Sequence, residues 1–269
     1  MRTNETLKAL KIKNDVIKLC KKAGKIILSA SGKIGFDEKT SARDVVTEYD
    51  KKVQDFLVNN LSKKYPEISF LAEESDDLGN VDVSKGEFFI IDPIDGTSNF
   101  VYGFKHSAIS VAYVKDGNVL AGVVYDPYLK EFFTAVKGNG AYLNGKQIAV
   151  NKANLKTGLA GYGTAVYYEE LLTQTKNIYC ALFDKANDVR RLGAASLDLC
   201  YLASGRYCCF FETRLAPWDY AAGVLIIQEA GGIITDFDGN ALSFNKRCSV
   251  VSGNPIAYNE LLYIINAVK

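Results

Sequence analysis

The chain has 269 residues, 48% of them hydrophobic and 23% charged, the mix of a globular protein long enough to bury a large core. Its 32 basic and 31 acidic residues leave a net charge of +1, which excludes a dominant electrostatic pull toward nucleic acid or a membrane surface. No stretch reaches the roughly 18 apolar residues of a membrane span, and none of the six cysteines forms a CxxC pair.

Apolar residues at Leu7, Leu10, Val16, Leu19, Ala23, Ile26 and Ile27 keep near-helical spacing and predict an opening amphipathic helix. Its lysines, which continue to Lys25, leave no apolar core for a signal peptide, so a cytoplasmic, reducing setting with buried free thiols is expected. A second helix is predicted over about 50–64, striped by Val53, Phe56, Leu57 and Leu61, with Pro66 just past its end. Short strands at 68–72 and 87–91 each run into acids, Glu73-Glu74 after the first and Asp92 after the second. Strands follow at 107–114, 119–125 and 131–136, then a hairpin over 142–150 that turns at Asn144-Gly145. A helix is predicted over 192–203, a strand over 207–212, and a helix over 218–230 that stops at Gly231-Gly232. Strands near 233–236 and 249–251 precede a last helix from about Asn259. Helices and strands come in blocks, which favours a layered α+β fold over a doubly wound parallel sheet. Residues 151–157 are the candidate boundary between two halves, 1–152 and 153–269, packed as one compact unit.

The densest chemistry lies in residues 89–100, where an apolar strand delivers Asp92, Pro93 interrupts the ladder, and Asp95 follows three residues on. Two carboxylates on one tight turn can hold hard cations, for which oxygen is the preferred donor. Gly96 lets the backbone come close to a ligand, and Thr97 or Ser98 would cap a helix whose free N–H groups face the turn and attract an anion. An Asx-type turn would look the same in isolation. Three further acids, Asp50 and Asp219 at helix starts and Glu73 at a strand end, also have local explanations as caps or solvated charge. Together they would require four independent coincidences. His106, the single histidine, is expected to be a satisfied structural residue, and Trp218 a core anchor.

In this order and spacing, Asp44-Val45-Val46-Thr47-Glu48-Tyr49-Asp50, Leu71-Ala72-Glu73-Glu74-Ser75, Ile91-Asp92-Pro93-Ile94-Asp95-Gly96-Thr97-Ser98-Asn99-Phe100 and Trp218-Asp219-Tyr220-Ala221-Ala222-Gly223 resemble the inositol monophosphatase family. The resemblance implies an αβαβα layered sandwich shared with fructose-1,6-bisphosphatase, a homodimer, sensitivity to Li⁺, and hydrolysis of a small phosphate monoester. It implies Glu73, Asp92 and the Ile94 carbonyl as ligands of one Mg²⁺, and Asp92, Asp95 and Asp219 as ligands of a second. A third, weaker ion would lean on Glu73 and water. Asp50 and Thr97 match the pair that orients the attacking water, and Gly96 and Thr97 match the backbone donors to phosphate. Glu212 matches the contact to sugar or inositol hydroxyls; Gly193, Ala194 and Ala195 line the same pocket, which Asp95 and Asp219 border. The first half would then carry most metal ligands, and the second Asp219 and the substrate wall.

A phosphorylated polyol, first of all myo-inositol monophosphate, is the substrate this implies. Fructose 1,6-bisphosphate, histidinol phosphate and 3′-phosphoadenosine nucleotides are the enzymatic alternatives. A different class, an RNA-polymerase-associated factor in transcription and ribosome assembly, is also represented among bacterial relatives, although the net charge lends it no support. Glu212 could instead pair with Arg214 at the surface. Arg214 departs from the mammalian pattern and is either a contact to a second anionic group or a solvated arginine.

Overall fold

A computed structural model describes residues 3–31, 34–41, 44–75 and 78–268; the side chains of residues 39–44, including that of Asp44, lie outside the described part. Helix α1, Asn4–Ser29, starts at Thr3, whose hydroxyl accepts from the Thr6 N–H, and buries Ala9, Ile12, Val16, Cys20, Ala23 and Ile27. This stripe is rotated slightly from the predicted one, and Leu7 is exposed. Helix α2, Glu48–Lys64, opens with a reciprocal capping box between Thr47 and Asp50 and buries Val53, Leu57 and Leu61.

Between these helices, β1 (Asp37–Ser41) and β2 (Asp44–Val46) form an antiparallel pair that hydrophobic patterning did not indicate.

A seven-stranded sheet follows the order β3-β4-β5-β6-β7-β8-β9: Ser69–Ala72, Glu87–Asp95, Ala108–Lys115, Asn118–Asp126, Glu131–Val136, Ala141–Leu143 and Lys146–Ile148. Only its β3–β4 pair is parallel. The β8–β9 hairpin turns at Asn144-Gly145 with both residues at positive φ, as that dipeptide predicts. A five-stranded sheet follows the order β11-β10-β12-β14-β13: Asp188–Arg190, Leu159–Tyr162, Cys209–Leu215, Cys248–Gly253 and Ile233–Thr235. Two further helices, α5 (Ala195–Ala203) and α6 (Pro217–Glu229), pack between the sheets. Outside the second sheet lie α4 (Leu172–Phe183) and α7 (Pro255–Ala267). The layers therefore run helix, sheet, helix, sheet, helix, as the resemblance implied.

The two-residue period of the strands divides the apolar side chains between layers. In β4, Phe89 and Ile91 pack with α1 and α2, whereas Phe88 and Ile90 face the central layer with α5 and α6. In β12, Phe210 faces the centre and Phe211 the outer helices. Two predicted elements shift. The helix placed at 192–203 starts only at Ala195, because Gly193 holds φ at 84°. The last helix starts four residues earlier than expected, at Pro255, where the Asn254 side chain accepts from the N–H groups of Ile256 and Ala257. Five cysteines are buried as expected, but Cys180 is exposed. Among the described residues no helix is long and apolar enough to cross a membrane.

Candidate active site

Strand β4 continues past Pro93 to Asp95. The ladder pairs Asp92 with Ser110 and resumes at Asp95 with Ala108, so Pro93 and Ile94 form an irregularity instead of ending the strand. Asp92 keeps the phase of Phe88 and Ile90 and faces the central layer, where the Ser110 hydroxyl donates to the Trp218 carbonyl at 3.3 Å. It is 1% exposed, and its Oδ1 has no hydrogen-bond partner.

Gly96 then turns the chain at φ 84°, and a Cβ there would stand 3.1 Å from Ala194 Cβ and from the carbonyls of Gly193 and His106. Only glycine fits both the backbone angle and the space. The helix that follows, α3 (Thr97–Val101), is a single turn whose N-cap is Gly96, so neither Thr97 nor Ser98 caps it as expected. The Thr97 hydroxyl instead lies 3.1 Å from Asp50 Oδ1 and 2.9 Å from the Ile94 carbonyl.

Asp95 reaches across the chain to cap α5. Its Oδ1 accepts from the Ala195 N–H at 3.1 Å, and its Oδ2 from the Ser196 N–H at 2.8 Å and hydroxyl at 2.5 Å. Residues 193–195 are thereby fixed beside the metal-type carboxylates, and Asn99 adds bonds to the Leu192, Gly193 and His106 carbonyls. Ser196 was not singled out from sequence. The available signal was that α5 begins after Ala194, which cannot cap it.

Asp219 enters from the first turn of α6, where its Oδ2 accepts from the Ala216 N–H at 2.7 Å. Oxygen atoms of Asp92, Asp95 and Asp219 all lie within 4.8 Å of one another. Glu73, in a 3₁₀ turn over Glu73–Ser75 after β3, borders the same cavity and raises the Asp92 carboxyl by repulsion.

Burial and mutual repulsion act together on these acids. Desolvation first, then the charges of Glu73, Asp95 and Asp219, hold the Asp92 carboxyl well above its ordinary range. Desolvation, then Asp95 and Glu73, do the same to Asp219. Asp95 is raised less, to about 6, because its bonds from Ser196 and Ala195 oppose burial. Converging carboxylates around the unpartnered Asp92 Oδ1 are a donor set that fits a hard divalent cation. A cation would relieve both the desolvation and the repulsion.

The cavity measures about 480 Å³. Its lining also includes Glu212, Arg191, Arg214 and the segment from Gly163 to Tyr168. Glu212 does not pair with Arg214. Its Oε1 accepts from the Ala165 N–H at 3.1 Å, while Arg214 pairs with Glu170 at 2.9 Å and lies 4.4 Å over the Tyr168 ring. A Cβ on Gly163 would stand 1.9 Å from Glu212 Oε2, so glycine makes room for this carboxylate. Burial pushes the Glu212 carboxyl up to about 7 against the pull of the Ala165 N–H and Arg191. Trp218 is buried and also borders the cavity. His106 lies outside the lining and packs against Tyr201, but its buried Nε2 has no partner, contrary to the expected satisfied histidine. Burial lowers its pKa and favours the uncharged ring.

A model of the inositol monophosphatase family matches residues 10–268. A Nus factor SuhB of Pseudomonas aeruginosa is 36% identical, with 94% of each chain covered. A fructose-1,6-bisphosphatase/inositol-1-monophosphatase of Thermotoga maritima is also 36% identical, again with 94% of each covered. Among solved structures, an IMPase/NADP phosphatase complexed with Mg²⁺ and phosphate superposes with a TM-score of 0.86 at 26% identity, over 97% of both chains. With the match running almost end to end and the carboxylates brought together as the motifs implied, the chain belongs to the inositol monophosphatase family.

Proposed function

We propose that this chain is a Mg²⁺-dependent phosphatase that hydrolyses a small phosphate ester of a polyol, with myo-inositol monophosphate the first substrate to test. The observation that carries this is the convergence of Asp92, Asp95 and Asp219 within 4.8 Å in a cavity of about 480 Å³. Asp92, Asp95, Asp219, Glu73 and the Ile94 carbonyl would hold two or three Mg²⁺, which supply Lewis acidity and the positive charge that a phosphate needs beside acids. The backbone N–H groups of Gly96 and Thr97 are assigned to the phosphate. Thr97 and Asp50 orient a water for in-line attack, and the Asp50 carboxylate is the acceptor toward which its proton moves. The P–O ester bond breaks as the new P–O bond forms and the polyol oxygen leaves as the alcohol, taking a proton from solvent, so positioning and charge do the work without a protein nucleophile. Gly193, Ala194, Ala195 and Glu212 form the wall against which the polyol lies. In this assignment residues 1–152 supply most of the cation ligands and residues 153–269 supply Asp219 and that wall.

Phosphate release from a panel of inositol, fructose, histidinol and 3′-phosphoadenosine esters with Mg²⁺ tests the proposal. Asp92→Asn should lower turnover by at least about 10³-fold. Near-normal turnover in that variant, or full activity in excess chelator, refutes it.

The relatives named Nus factor SuhB support a second role, which we propose to be association with RNA polymerase; we further propose that the chain is a cytoplasmic homodimer. Affinity capture of RNA polymerase by the wild type and by Asp92→Asn separates the two: equal capture would make that role independent of catalysis. Size-exclusion chromatography of the purified chain tests the dimer.

A further inference from the structure

We propose that Asp198 is a further specificity-determining residue, which holds a second hydroxyl of the substrate's polyol, apart from the one that Glu212 meets. This rests on the phosphatase assignment above and narrows its substrate class to esters whose alcohol offers at least two further hydroxyls.

Asp198 sits one turn into α5, where the helical period sets it on the face of Ala194 and Ala195, and it lines the cavity with them. Its neighbours Leu197, Leu199 and Leu202 are buried in the central layer. Asp198 is itself only 1% exposed, and its Oδ1 has no hydrogen-bond partner. An acid in a first turn ordinarily answers the free N–H groups of its own helix. Here Asp95 already takes those of Ala195 and Ser196. The Tyr207 hydroxyl lies near enough for each group to shift the other, yet it too has no partner in hydrogen-bond geometry. A polar oxygen buried without a partner destabilises the fold. The fold therefore gains little from this carboxyl, and a ligand in the cavity that it borders would supply the missing partner.

Burial, then the charges of Asp95 and Glu212, hold the Asp198 carboxyl well above its ordinary range and favour its neutral form. A cation at the metal-type acids would cancel the Asp95 part and leave burial, the largest cause, in force. A neutral carboxyl can both donate and accept a hydrogen bond, whereas an ionised Glu212 can only accept. Hydroxyls likewise do both. A ring polyol carries them on neighbouring carbons, so that one can donate to Glu212 while another pairs with Asp198. An ester such as p-nitrophenyl phosphate offers neither.

The test is kcat/KM for inositol 1-phosphate divided by that for p-nitrophenyl phosphate, both with Mg²⁺. Asp198→Leu, similar in size and unable to hydrogen-bond, should lower that ratio by about 10-fold or more. Asp198→Asn, a neutral donor and acceptor, should keep it within about 3-fold of the wild type, and so should Tyr207→Phe. Where Asp198→Leu does not fold, Asp198→Ala is read in its place. Equal losses on the two esters, or no loss on either, overturn the assignment, and so does a fall in Asp198→Asn as large as in Asp198→Leu. An equally large fall in Tyr207→Phe overturns it too, because Asp198 would then serve Tyr207 and not the substrate. If the wild type hydrolyses neither ester, the phosphatase assignment fails separately, and calorimetry with Mg²⁺ decides. Inositol 1-phosphate binding that Asp198→Leu weakens by about 10-fold, with inorganic phosphate binding unchanged, supports the contact. The same change for both ligands, or no binding of inositol 1-phosphate by the wild type, overturns it.

Discussion

Glu212→Gln separates recognition of the polyol from the chemistry at phosphorus. Burial raises the Glu212 carboxyl from 4.5 to about 7, so above that pH it is a carboxylate able to accept two hydroxyl hydrogen bonds, and below it a neutral acid. Glutamine imitates the neutral form at every pH. The Ala165 N–H can still donate to a glutamine oxygen, so the wall itself should hold. The substitution then costs the difference between charged and neutral acceptors, about 1–3 kcal/mol, or roughly 5- to 150-fold in kcat/KM for the polyol ester. At about pH 8.5 the full loss is expected. At about pH 5.5 only about 3% of the wild-type side chain is ionised, and the two proteins should converge. The assay is kcat/KM for inositol 1-phosphate divided by that for p-nitrophenyl phosphate, because the ratio cancels titration of the metal-type acids and much of that of the phosphate itself. A ratio that falls by the same factor at both pH values refutes the assigned charge state. Equal losses on the two esters at pH 8.5 would move Glu212 from recognition to the structural or metal shell.

Asp50→Asn should keep the α2 cap, since the amide oxygen can still accept from the Thr47 N–H, while presenting an NH₂ to Thr97; a stability loss under about 1 kcal/mol by denaturant titration with a kcat loss of about 10²-fold or more is expected. Chelator-treated protein should be most stable below about pH 4 with respect to Asp95, whose folded pKa is raised to about 6, and should lose that contribution as pH rises through 6. Mg²⁺ should therefore raise the thermal midpoint more at pH 8 than at pH 5, and an equal increment at both would contradict the linkage. Activity at limiting Mg²⁺ should fall along a Li⁺ titration, and a flat response would place the chain outside the Li⁺-sensitive branch.

The strands that form the site were legible because each ends in an abrupt change of chemistry: apolar residues, then Asp92, or apolar residues, then Glu73. Helix α6 was equally clear, with Pro217 at its start and Gly231-Gly232 past its end. The second sheet was harder. Strand β10 contains Gly161 and is followed by Gly163, a composition typical of a loop, but the glycines are there because Tyr207, Phe210 and Glu212 press against that backbone. Helix α4 carries Thr173, Thr175, Lys176 and Asn177 in its first two turns, so only Ile178 and Leu182 mark a buried apolar face. The grip of Asp95 on Ser196 spans 101 residues, and no local pattern can announce it.

The local and functional explanations of the acids, which looked like competitors in the sequence, describe the same atoms. Asp50 gives Oδ2 to Thr47 at the start of α2 and Oδ1 to Thr97 at the cavity. Asp219 gives Oδ2 to the Ala216 N–H at the start of α6 while its carboxylate joins the cluster, and Asp95 holds the start of α5 with both oxygens. Three helices thus begin at one cavity, and each opening turn donates N–H groups to a carboxylate that the fold has buried. Those bonds favour ionisation, yet at Asp95 they offset only part of the desolvation, and its carboxyl still rises to about 6. At Asp92, which has no such helix start and an unpartnered Oδ1, burial and repulsion prevail outright. The acid least supported by the protein is therefore Asp92, where a cation would contribute most.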